Sequence, residues 1–587
     1  MINNEKPDKF LVINELARRR GFFWPSFEIY GGAGGFVTYG PLGKKLKLNI
    51  ESKLRDIFVN KLGIFEIESS IITPGKVFES SGHVNHFKEP MVECQNCSKR
   101  FRADHLIHEK MGISLIDIEK MSLSEIEEVI KKNEIECPEC KHGLKEPTQF
   151  LTMFKTNIGP YSGAAGYGRP EAAQSIFVEF NRLYKMAREK LPFGVLQIGH
   201  ALRNEISPRQ GLIRLREFTI ADLEFFFDPE TPECHLIHEV ETEILPLLLA
   251  EKREHGLEDT IMLTAREILD KKIVCSEWQL FFMIMAKKLL LSIGVPIEKQ
   301  RFIEKLPWEK AHYATQCFDQ EVHVTRLGWI EVSGHVYRTD FDLNCHMQSS
   351  GTDFRVFKEF ENPIEEKQFV VKPKMSILGP EFKDKAAEIV ENLLKIPGPE
   401  LIESFDKKGY CLIGDKKISS NHVEIIQQKN TIRGKRFIPH VVEPSFGCDR
   451  LFYVALEYAL NIKDDRNILS FPRIIAPIQV GVFPLVNKDG VNKKSKKIAA
   501  FLRTEGLLVE FDDAGSIGRR YARADEAGIP LCITIDYTTL KDDTVTIRDR
   551  DLWSQIRVPL SNLPILLSDY FKEKIKFNDF GDFIKSK

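Results

Sequence analysis

The spacing of apolar positions predicts both helices and strands in the first half of the chain. Apolar residues three and four apart indicate a long helix over Lys44–Lys61, and alternation over Ile64–Ile72 indicates a strand. Alternation returns over Gln197–Phe227, in two segments separated by the turn-forming residues Pro208–Gly211. Two such segments around a short turn predict an antiparallel hairpin.

The second half of the chain changes from helical spacing to a regular alternation of strands and helices. Helical spacing dominates from His235 to about Ile293, and a strand followed by a helix is predicted over Phe437–Leu460. From Ile474 onward the alternation is typical of a separate α/β domain. Its predicted strands are Gln479–Phe483, Leu508–Phe511 and Leu531–Ile535, and its predicted helices are Lys496–Thr504 and Ser516–Ala527.

Length and composition indicate a multidomain globular protein. At roughly 150 residues per domain, 587 residues correspond to about four domain-sized units, and 43% hydrophobic residues suffice for a core in each. The 83 Lys and Arg residues nearly balance the 85 Asp and Glu residues. Nucleic acid would therefore have to bind at local basic patches, because the chain has no global positive field.

Nothing in the sequence predicts a membrane protein. The most apolar segments, Ile244–Ala250 and Leu280–Ala286, have seven residues each, whereas a spanning helix needs about 20. The N-terminal stretch is charged from Glu5 onward and has no continuous apolar core, which argues against a secretory signal. We therefore expect a cytoplasmic protein with reduced cysteines and no membrane partner.

Four of the eleven cysteines form two matched pairs in the polar segment 91–147. The pairs are Cys94-x-x-Cys97 and Cys137-x-x-Cys140. Each pair can bind one metal ion from a tight turn, and together they supply the four thiolates of a tetrahedral zinc site. The 39 intervening residues are more than common zinc ribbons have, but a helix predicted over Ser122–Lys132, capped at Ser122 or Ser124, accounts for the extra length. The alternative is four unrelated reduced cysteines.

The predicted hairpin and a later strand-to-helix segment carry the most informative polar residues. These are Arg203-Asn204-Glu205, Arg214, Arg216 and Phe218 in the hairpin, and EPSFGCDR at 443–450. Strands that alternate arginine with carboxylate place bidentate phosphate ligands beside hydrogen-bond acceptors, as nucleotide activation requires. The alternative for each arginine is a surface salt bridge. Together the segments resemble motifs 2 and 3 of the class II aminoacyl-tRNA synthetases, and the helix and strand before Pro74 resemble motif 1.

Five further sequence segments narrow the resemblance to one subclass. They are YGPLG at 39–43, FRADH at 101–105, RPEAAQSIF at 169–177, REFTIADLE at 216–224 and EPSFG at 443–447. Along essentially the whole chain they resemble the homodimeric glycyl-tRNA synthetase family. Three positions depart from that pattern: Ala172 and Ser175 stand where the family commonly has Thr and Gly, and Asp222 stands where it commonly has Glu.

The resemblance implies an α/β (α+β) fold. It consists of an antiparallel-sheet catalytic domain with a zinc-binding insertion and of a C-terminal α/β anticodon-binding domain. The expected divisions are 1–90 with motif 1, the zinc insertion 91–147, 148–356 with motif 2 and a helical insertion, a second insertion 357–434, 435–473 with motif 3, and the anticodon-binding domain 474–587.

The implied activity is that of a homodimeric glycine–tRNA ligase, which activates glycine with ATP and Mg²⁺ and transfers it to the 3′ end of tRNA. Arg203 would hold the α-phosphate, Arg214 the distal phosphates, and Glu331 the magnesium ion. Phe218 and Arg450 would sandwich adenine. The implied ATP-binding set is Arg203, Asn204, Glu205, Arg214, Leu215, Phe218, Glu331, Val332, Gly447 and Arg450, of which Arg203, Glu205 and Arg450 are the catalytic residues.

Glycine offers a site only an ammonium, a carboxylate and two hydrogen atoms. Selectivity must come from acidic groups around the ammonium and from walls that exclude a methyl group, so an editing domain is not needed. The resemblance implies a glycine-binding set of Arg102, Glu171, Asp222, Glu443, Pro444 and Ser445, with Arg102 near the substrate carboxylate.

Two clusters of basic residues in the C-terminal domain are candidates for tRNA contact. Arg519, Arg520 and Arg523 are spaced to share one helix face, and guanidinium groups both pair with phosphates and stack on unpaired bases. A lysine run, Lys493, Lys494, Lys496 and Lys497, is better explained as a solvated surface.

Other functions remain possible at this point. A non-catalytic, synthetase-like nucleic-acid-binding subunit would be expected to lack the motif arginines, and a zinc-ribbon RNA-binding protein leaves the acidic residues unexplained. A prolyl, threonyl or histidyl synthetase shares the fold and the C-terminal domain.

Overall fold

The computed structural model describes residues 8–114, 117–118, 120–160, 165–208 and 210–584. Three parts of the predicted features lie outside these ranges: residues 1–7, where the charged N-terminal stretch begins, Arg209 of the predicted turn, and residues 585–587 of the predicted C-terminal domain. The chain forms two compact units, Met1–Phe354 with Pro439–Lys587, and Arg355–Ile438. Within the described ranges, no helix is both long enough and apolar enough to cross a bilayer.

The N-terminal part contains the predicted long helix. Its elements are α1 (Lys9–Arg20), β1 (Phe23–Pro25), β2 (Val37–Tyr39), α2 (Pro41–Leu54), β3 (Phe65–Glu66), β4 (Ile72–Pro74), α3 (Gly75–Ser80) and α4 (His83–His86). The helix prediction is confirmed, since α2 continues as a π-helical turn to Asn60. The single strand predicted over Ile64–Ile72 is wrong. The chain leaves one sheet after β3 and joins another at β4.

The segment that contains the cysteine pairs forms a small module with its own core. Its elements are β5 (Lys88–Glu93), β6 (Arg100–Arg102), α5 (Ala103–Met111), α6 (Leu123–Lys132) and β7 (Thr148–Leu151). The strands pair in the order β6-β5-β7, and Val92, Ile107 and Ile126 pack together beneath them. The predicted helix is confirmed as α6, and its cap is Ser122, which forms a reciprocal capping box with Glu125.

A nine-stranded sheet forms the centre of the larger unit. The next elements are β8 (Lys155–Asn157), β9 (Ala165–Gly168), α7 (Ala173–Val178), α8 (Phe180–Met186), β10 (Phe193–Leu202), β11 (Glu217–Phe227), β12 (Ile244–Leu248), α9 (Ala250–Glu254), β13 (Ile261–Thr264), α10 (Ala265–Asp270), α11 (Glu277–Ser292), β14 (Gln300–Glu304), β15 (Gln316–Val324), β16 (Gly328–Thr339) and α12 (Phe341–Ser350). Strands β10 and β11 pair antiparallel from Phe193↔Phe226 to Leu202↔Glu217, which confirms the predicted hairpin.

Helical structure was predicted to dominate from His235 to about Ile293, and this prediction is wrong over the strands β12 and β13. Ile244–Leu248 is a buried strand between β13 and β14, and helix returns fully only in α11. Short apolar runs fit a buried strand and a buried helix equally well, so spacing alone does not separate them.

The smaller unit, Arg355–Ile438, is built on a long antiparallel ribbon. Its elements are β17 (Val356–Pro373), α13 (Met375–Phe382), α14 (Ala386–Lys395), α15 (Gly398–Lys408), β18 (Cys411–Ile413), β19 (Lys416–Ile418) and β20 (Val423–Phe437). Strands β17 and β20 pair along most of their length, and Leu378, Leu393 and Leu401 belong to a separate small core.

The chain then returns to the nine-stranded sheet. Strand β21 (His440–Gly447) lies between β16 and β11, and α16 (Cys448–Ala459) follows it directly, as predicted over Phe437–Leu460. The sheet order is β13-β12-β14-β15-β16-β21-β11-β10-β3, so the predicted motif 2 and motif 3 strands are neighbours. Residues of α2, α11 and α16 pack with the sheet residue Phe446 in one core.

The C-terminal region is a separate sheet with helices, as predicted. After the hairpin β22 (Leu460–Lys463) and β23 (Arg466–Leu469), the elements are β24 (Val480–Pro484), α17 (Val491–Thr504), β25 (Val509–Phe511), α18 (Ile517–Ala527), β26 (Leu531–Ile535), α19 (Thr539–Asp542), β27 (Thr544–Asp549), β28 (Gln555–Pro559) and α20 (Leu563–Phe571). The order is β25-β24-β26-β27-β28. The first three strands are parallel, and β27 and β28 add an antiparallel pair that was not predicted.

Candidate active site

A cavity of about 330 Å³ lies on the nine-stranded sheet where β11, β16 and β21 run side by side. It collects nine of the ten residues expected to bind ATP, namely Arg203, Glu205, Arg214, Leu215, Phe218, Glu331, Val332, Gly447 and Arg450. The tenth, Asn204, does not line the cavity, and its main-chain N–H donates to the carbonyl of Thr152 over 2.7 Å.

Arg203 follows the end of β10 and lies between aromatic rings. Its guanidinium carbon is 5.3 Å from the ring centre of Phe218 and 5.7 Å from that of Phe87. Its Nε donates to the carbonyl of Pro170 over 3.1 Å. A ring on either side and one hydrogen bond orient the guanidinium, and its two terminal nitrogens remain able to bind an anion.

Two ion pairs line the cavity. Arg214 donates to Glu205 over 2.7 Å, and Arg450 lies 3.1 Å from Glu331 while it also donates to that residue's carbonyl. Both arginine side chains are about one-third exposed, at 30% and 32%. Both arginines therefore form the salt bridges that the alternative interpretation predicted. However, the pairs lie inside a cavity, where an entering polyanion can compete for each guanidinium.

Four of the six residues expected to bind glycine, Glu171, Asp222, Glu443 and Ser445, form a buried acidic cluster next to the cavity, and we call this cluster the acidic pocket. Glu171, Asp222 and Glu443 are buried there. Ser445 Oγ donates to Asp222 over 2.5 Å, and the main-chain N–H of Ala172 donates to the other oxygen of the same carboxylate over 2.6 Å. Asp222, which stands where the family commonly has the longer glutamate, lies opposite Ser445 on the neighbouring strand. This strand pairing holds the aspartate in place.

Arg338 is the central cation of this pocket, and it was not predicted. The side chain is fully buried and donates to both oxygens of Asp342, over 2.7 and 2.8 Å, and to Glu443 over 2.7 Å. Its guanidinium lies 3.7 Å from the ring centre of Tyr313. The sequence signal was the strand Gly328–Thr339, which carries Glu331 and Arg338 in the same alternating segment.

Two further buried residues next to the pocket were also missed. His83 Nε2 lies 3.1 Å from Glu171, and its Nδ1 shares a hydrogen bond of 2.8 Å with Ser81 Oγ. Glu224 is buried two residues after Asp222, and among the described residues neither of its carboxylate oxygens has a hydrogen-bond partner. The alternation within β11 is the signal that could have placed Glu224 on the same face as Asp222.

Burial and mutual repulsion set the pKa values in the acidic pocket. Burial raises the pKa of Glu443 to about 8 despite the attraction of Arg338. Burial and the nearby Glu171 also raise the pKa of Asp222, and burial together with Glu443 raises the pKa of Glu224 well above its usual range. For Glu171, the effect of burial is outweighed by His83 and Arg338, which hold its pKa well below the usual range. The pocket is therefore electrostatically suited to a cation.

Two residues of the expected glycine set lie apart from the acidic carboxylates. Arg102 ends β6, where it pairs with Glu89 and donates to Asp104 over 3.0 Å, and it does not line the cavity. Pro444 is buried between Glu443 and Ser445 on β21. Because side chains alternate along a strand, it faces away from them.

The four paired cysteines converge on one point. Cys94 and Cys140 sulfurs are 3.4 Å apart, Cys97 and Cys137 sulfurs are 3.7 Å apart, and all four lie within 4.8 Å of one another. Four sulfurs at about 2.3 Å from a tetrahedral zinc ion are about 3.8 Å apart. Main-chain N–H groups of Asn96 and Cys97 point at the Cys94 sulfur. The donor set fits zinc.

The three arginines expected to bind tRNA occupy different environments on α18. Arg519 is exposed. Arg520 is buried and donates to the main-chain carbonyls of Pro484, Asp513 and Gly515. Arg523 pairs with Asp512 over 2.5 Å. The shared exposed face is therefore absent, because Arg520 turns inward to satisfy loop carbonyls.

Comparison with known proteins agrees with this geometry. Residues 479–570 match the family model described as "Anticodon binding domain". The chain is 46% identical over 570 residues to a glycine–tRNA ligase of Pyrococcus furiosus, covering 96% of this chain and 99% of the relative, and 44% identical over 580 residues to one of Methanocaldococcus jannaschii, covering 97% and 99%. The chain belongs to the glycine–tRNA ligase family.

The fold of this glycine–tRNA ligase family member is similar to that of a solved class II synthetase structure. The structure of a Giardia lamblia prolyl-tRNA synthetase in complex with prolyl-adenylate superposes with a TM-score of 0.51 at 12% identity, over 95% of this chain and 74% of that chain. The predicted class II architecture is thereby confirmed: an antiparallel catalytic sheet followed by a C-terminal anticodon-binding domain.

Proposed function

We propose that the protein joins glycine to tRNA in two steps. Glycine and ATP form glycyl-adenylate with release of pyrophosphate, and the 3′ end of the tRNA then takes up the glycyl group. Full-length similarity to glycine–tRNA ligases carries this proposal, together with a nucleotide-sized cavity that opens beside a buried acidic pocket. These reactants would meet in the cytoplasm.

The residues around the cavity suit ATP. Arg203, whose terminal nitrogens have no hydrogen-bond partner among the described residues, would bind the α-phosphate and stabilise the charge that develops as the glycine carboxylate attacks. Arg214 would exchange Glu205 for the distal phosphates, which releases Glu205 to accept a hydrogen bond from the adenine amino group. Phe218 and Arg450 would stack on the two faces of adenine, and Leu215, Val332 and Gly447 would form its walls.

Magnesium would be held at Glu331. Its carboxylate lines the cavity, and although burial opposes ionisation, Arg450 keeps its pKa below the usual range, so it is available as a hard oxygen ligand. The metal, when bound, neutralises charge on the leaving phosphates. Asn204 does not line the cavity, and we infer that its main-chain hydrogen bond to Thr152 fixes the position of Arg203 and Glu205.

The acidic pocket would bind the glycine ammonium. A bound ammonium would stabilise the ionised forms of Glu171, Asp222 and Glu443, whose combined charge Arg338 alone does not balance, and Ser445 holds the Asp222 carboxylate in place. Arg338 and Tyr313 fill the space beside Glu443 and would exclude a methyl group. Arg102, paired with Glu89, would act on the substrate carboxylate only after that pair rearranges.

The remaining partners follow from the other surfaces. Zinc would be held by Cys94, Cys97, Cys137 and Cys140, where it fixes the fold of the small module. Of the three arginines on α18, Arg519 is positioned to contact tRNA, and Arg520 and Arg523 would hold the loop beneath it. A homodimer is favoured by apolar side chains left exposed on the motif 1 elements, Leu48 on α2 and Ile72 on β4.

The test measures the incorporation of radioactive glycine into tRNA by the wild-type protein and by Arg203→Ala. We expect robust charging by wild type and a loss of at least a hundredfold in the variant, since one preorganised charge-stabilising group is worth that much. Arg182→Ala is the control, because Arg182 is an exposed arginine paired with Glu179 away from the cavity. Absence of charging by wild type, or equal activity in Arg203→Ala, would contradict the proposal.

A further inference from the structure

The most exposed large apolar side chains of the described chain lie next to each other in one loop. Ile29 is 87% exposed and Tyr30 is 85% exposed, and no other large hydrophobic side chain among the described residues exceeds 69%. Two adjacent apolar residues exposed to this degree cost solvation free energy, and such patches commonly mark a binding surface.

The loop that carries them is held in a defined shape. Phe27 and Phe36 close its base, with ring centres 6.2 Å apart, and Ser26 N–H donates to the carbonyl of Phe36 over 3.1 Å. The main-chain N–H of Tyr30 donates to Phe27 over 2.9 Å. The tip therefore presents Ile29 and Tyr30 outward as part of a turn.

The same loop rests on the hairpin that lines the ATP cavity. Arg216 Nη1 donates to the carbonyl of Gly34 over 2.7 Å, and the Arg216 main-chain N–H donates to Gly35 over 2.8 Å. A Cβ at Gly35 would lie 2.9 Å from Pro208 and 3.0 Å from Arg216, so only glycine allows this approach. Arg216 also donates to the carbonyl of Glu205, which lines the cavity. Arg216 thus links the loop that carries the exposed pair to the hairpin that lines the cavity.

Ile29 and Tyr30 together have the side-chain chemistry that binds unpaired nucleotides. In the transfer step the 3′ end of a tRNA must bring its terminal ribose hydroxyl to the adenylate in the cavity. Its last nucleotides are single-stranded, and proteins hold such nucleotides by stacking their bases on aromatic side chains and on apolar neighbours. The phenol ring of Tyr30 beside Ile29 provides such a surface, in a loop that Arg216 joins to the hairpin lining the cavity.

We propose that Ile29 and Tyr30 form a stacking platform for the unpaired 3′-terminal nucleotides of tRNA. The platform rests on the proposed function, and it acts in the transfer step only. Within the described part of the chain, no side-chain hydrogen bond, ion pair or ring contact joins Ile29 or Tyr30 to the residues assigned to glycine or to ATP, so formation of the adenylate should not depend on the platform.

The first experiment separates the two steps. In Tyr30→Ala and Ile29→Ala, glycine-dependent ATP–pyrophosphate exchange should equal that of wild type, while single-turnover transfer from preformed glycyl-adenylate to tRNA should fall about tenfold or more in Tyr30→Ala. Tyr30→Trp should keep the wild-type rate of transfer, because the larger tryptophan ring also stacks on bases. Ile565→Ala is the matched control, since Ile565 is 69% exposed in the C-terminal domain, and both of its rates should be unchanged.

The second experiment observes stacking directly. A full-length tRNA with 2-aminopurine in place of the terminal adenine should lose fluorescence on binding wild type and Tyr30→Trp, and keep it on binding Tyr30→Ala.

Three results would overturn the proposal. They are unchanged transfer in Tyr30→Ala, an equal fall in exchange and transfer, and a change in oligomeric mass, which would make the pair an interface between copies of the chain. If wild type shows no glycine-dependent exchange, the proposed function itself fails, and that outcome is distinct from all three.

Discussion

Arg338 donates a hydrogen bond to Glu443 over 2.7 Å, and both side chains are buried in the acidic pocket. The same guanidinium binds both oxygens of Asp342, so one cation faces several carboxylates. One cation cannot balance these carboxylates when all of them are ionised, so either a proton on Glu443 or the ammonium of glycine must supply further positive charge.

Replacing this guanidinium should damage glycine binding more than ATP binding. In Arg338→Lys the charge remains, but the two-pronged contact with Asp342 is lost, because an ammonium cannot reproduce the planar fork. We expect the KM for glycine to rise at least tenfold while the KM for ATP changes less than threefold, measured by pyrophosphate exchange.

The matched control for that substitution is Arg301→Lys. Arg301 is also buried, and it pairs with Glu321 over 2.7 Å on β14 and β15, outside the cavity lining. Its KM values should be those of wild type. An unchanged KM for glycine in Arg338→Lys would show that Arg338 does not organise the pocket.

Binding of glycine should depend on pH through Glu443. Burial raises the pKa of this carboxyl to about 8, so below that pH the unliganded protein holds a proton there. A bound ammonium favours the ionised form, hence glycine binding must displace the proton, and this costs more the lower the pH. The KM for glycine should therefore fall as the pH rises from 6 to about 8 and then level off.

The pH experiment has an internal control. Glu443 does not line the ATP cavity, so the KM for ATP should lack this transition. A KM for glycine that is flat or rises over the same range would refute the role of Glu443.

The zinc site can be tested by metal content and stability. Protein purified without chelators should contain one zinc per chain, and Cys137→Ser should lose it, because three thiolates cannot close the tetrahedron. The variant should also be cleaved faster by protease within 91–147, since the metal links the two ends of the module. Cys275→Ser, which removes a cysteine outside the cluster, should keep the metal. Metal-free wild-type protein would disprove the site.

Two neighbouring arginines on α18 should behave differently. Arg519→Ala should reduce aminoacylation severalfold and leave pyrophosphate exchange intact, because Arg519 is exposed and the exchange reaction needs no tRNA. Arg520→Ala should lower the unfolding temperature of the C-terminal domain, because it removes the donor to the carbonyls of Pro484, Asp513 and Gly515, the first of which is buried. Calorimetry and the two assays distinguish these effects, and wild-type aminoacylation by Arg519→Ala would place the tRNA contact elsewhere.

Local spacing predicted several elements close to their observed bounds. They are the helix α2, the hairpin β10–β11, and the first three strands and two helices of the C-terminal domain. The segment Ile244–Leu248 failed because a short run of apolar residues fits a strand and a helix equally well.

Without the family resemblance, the site was predictable only where its residues are close in sequence. Arg203 to Phe218 lie on one hairpin, and their spacing carried the interpretation. Arg338 and His83 reach Glu443 and Glu171 through strand order and packing that no local pattern encodes. Arg520 shows that nearness in sequence is not sufficient either. Helical spacing placed it beside Arg519, but it could not show that Arg520 is buried and donates hydrogen bonds to loop carbonyls.

The most direct test of the account is the choice of amino acid in ATP–pyrophosphate exchange by the wild-type protein. Glycine, alanine, proline, threonine and histidine should be compared at equal concentration, with Mg²⁺ and without tRNA. A pocket whose space is filled by Arg338 and Tyr313 around buried carboxylates predicts exchange with glycine and at most about a hundredth of that rate with alanine. Exchange driven by proline, threonine or histidine, or equally by alanine, would contradict the assignment of the acidic pocket to glycine.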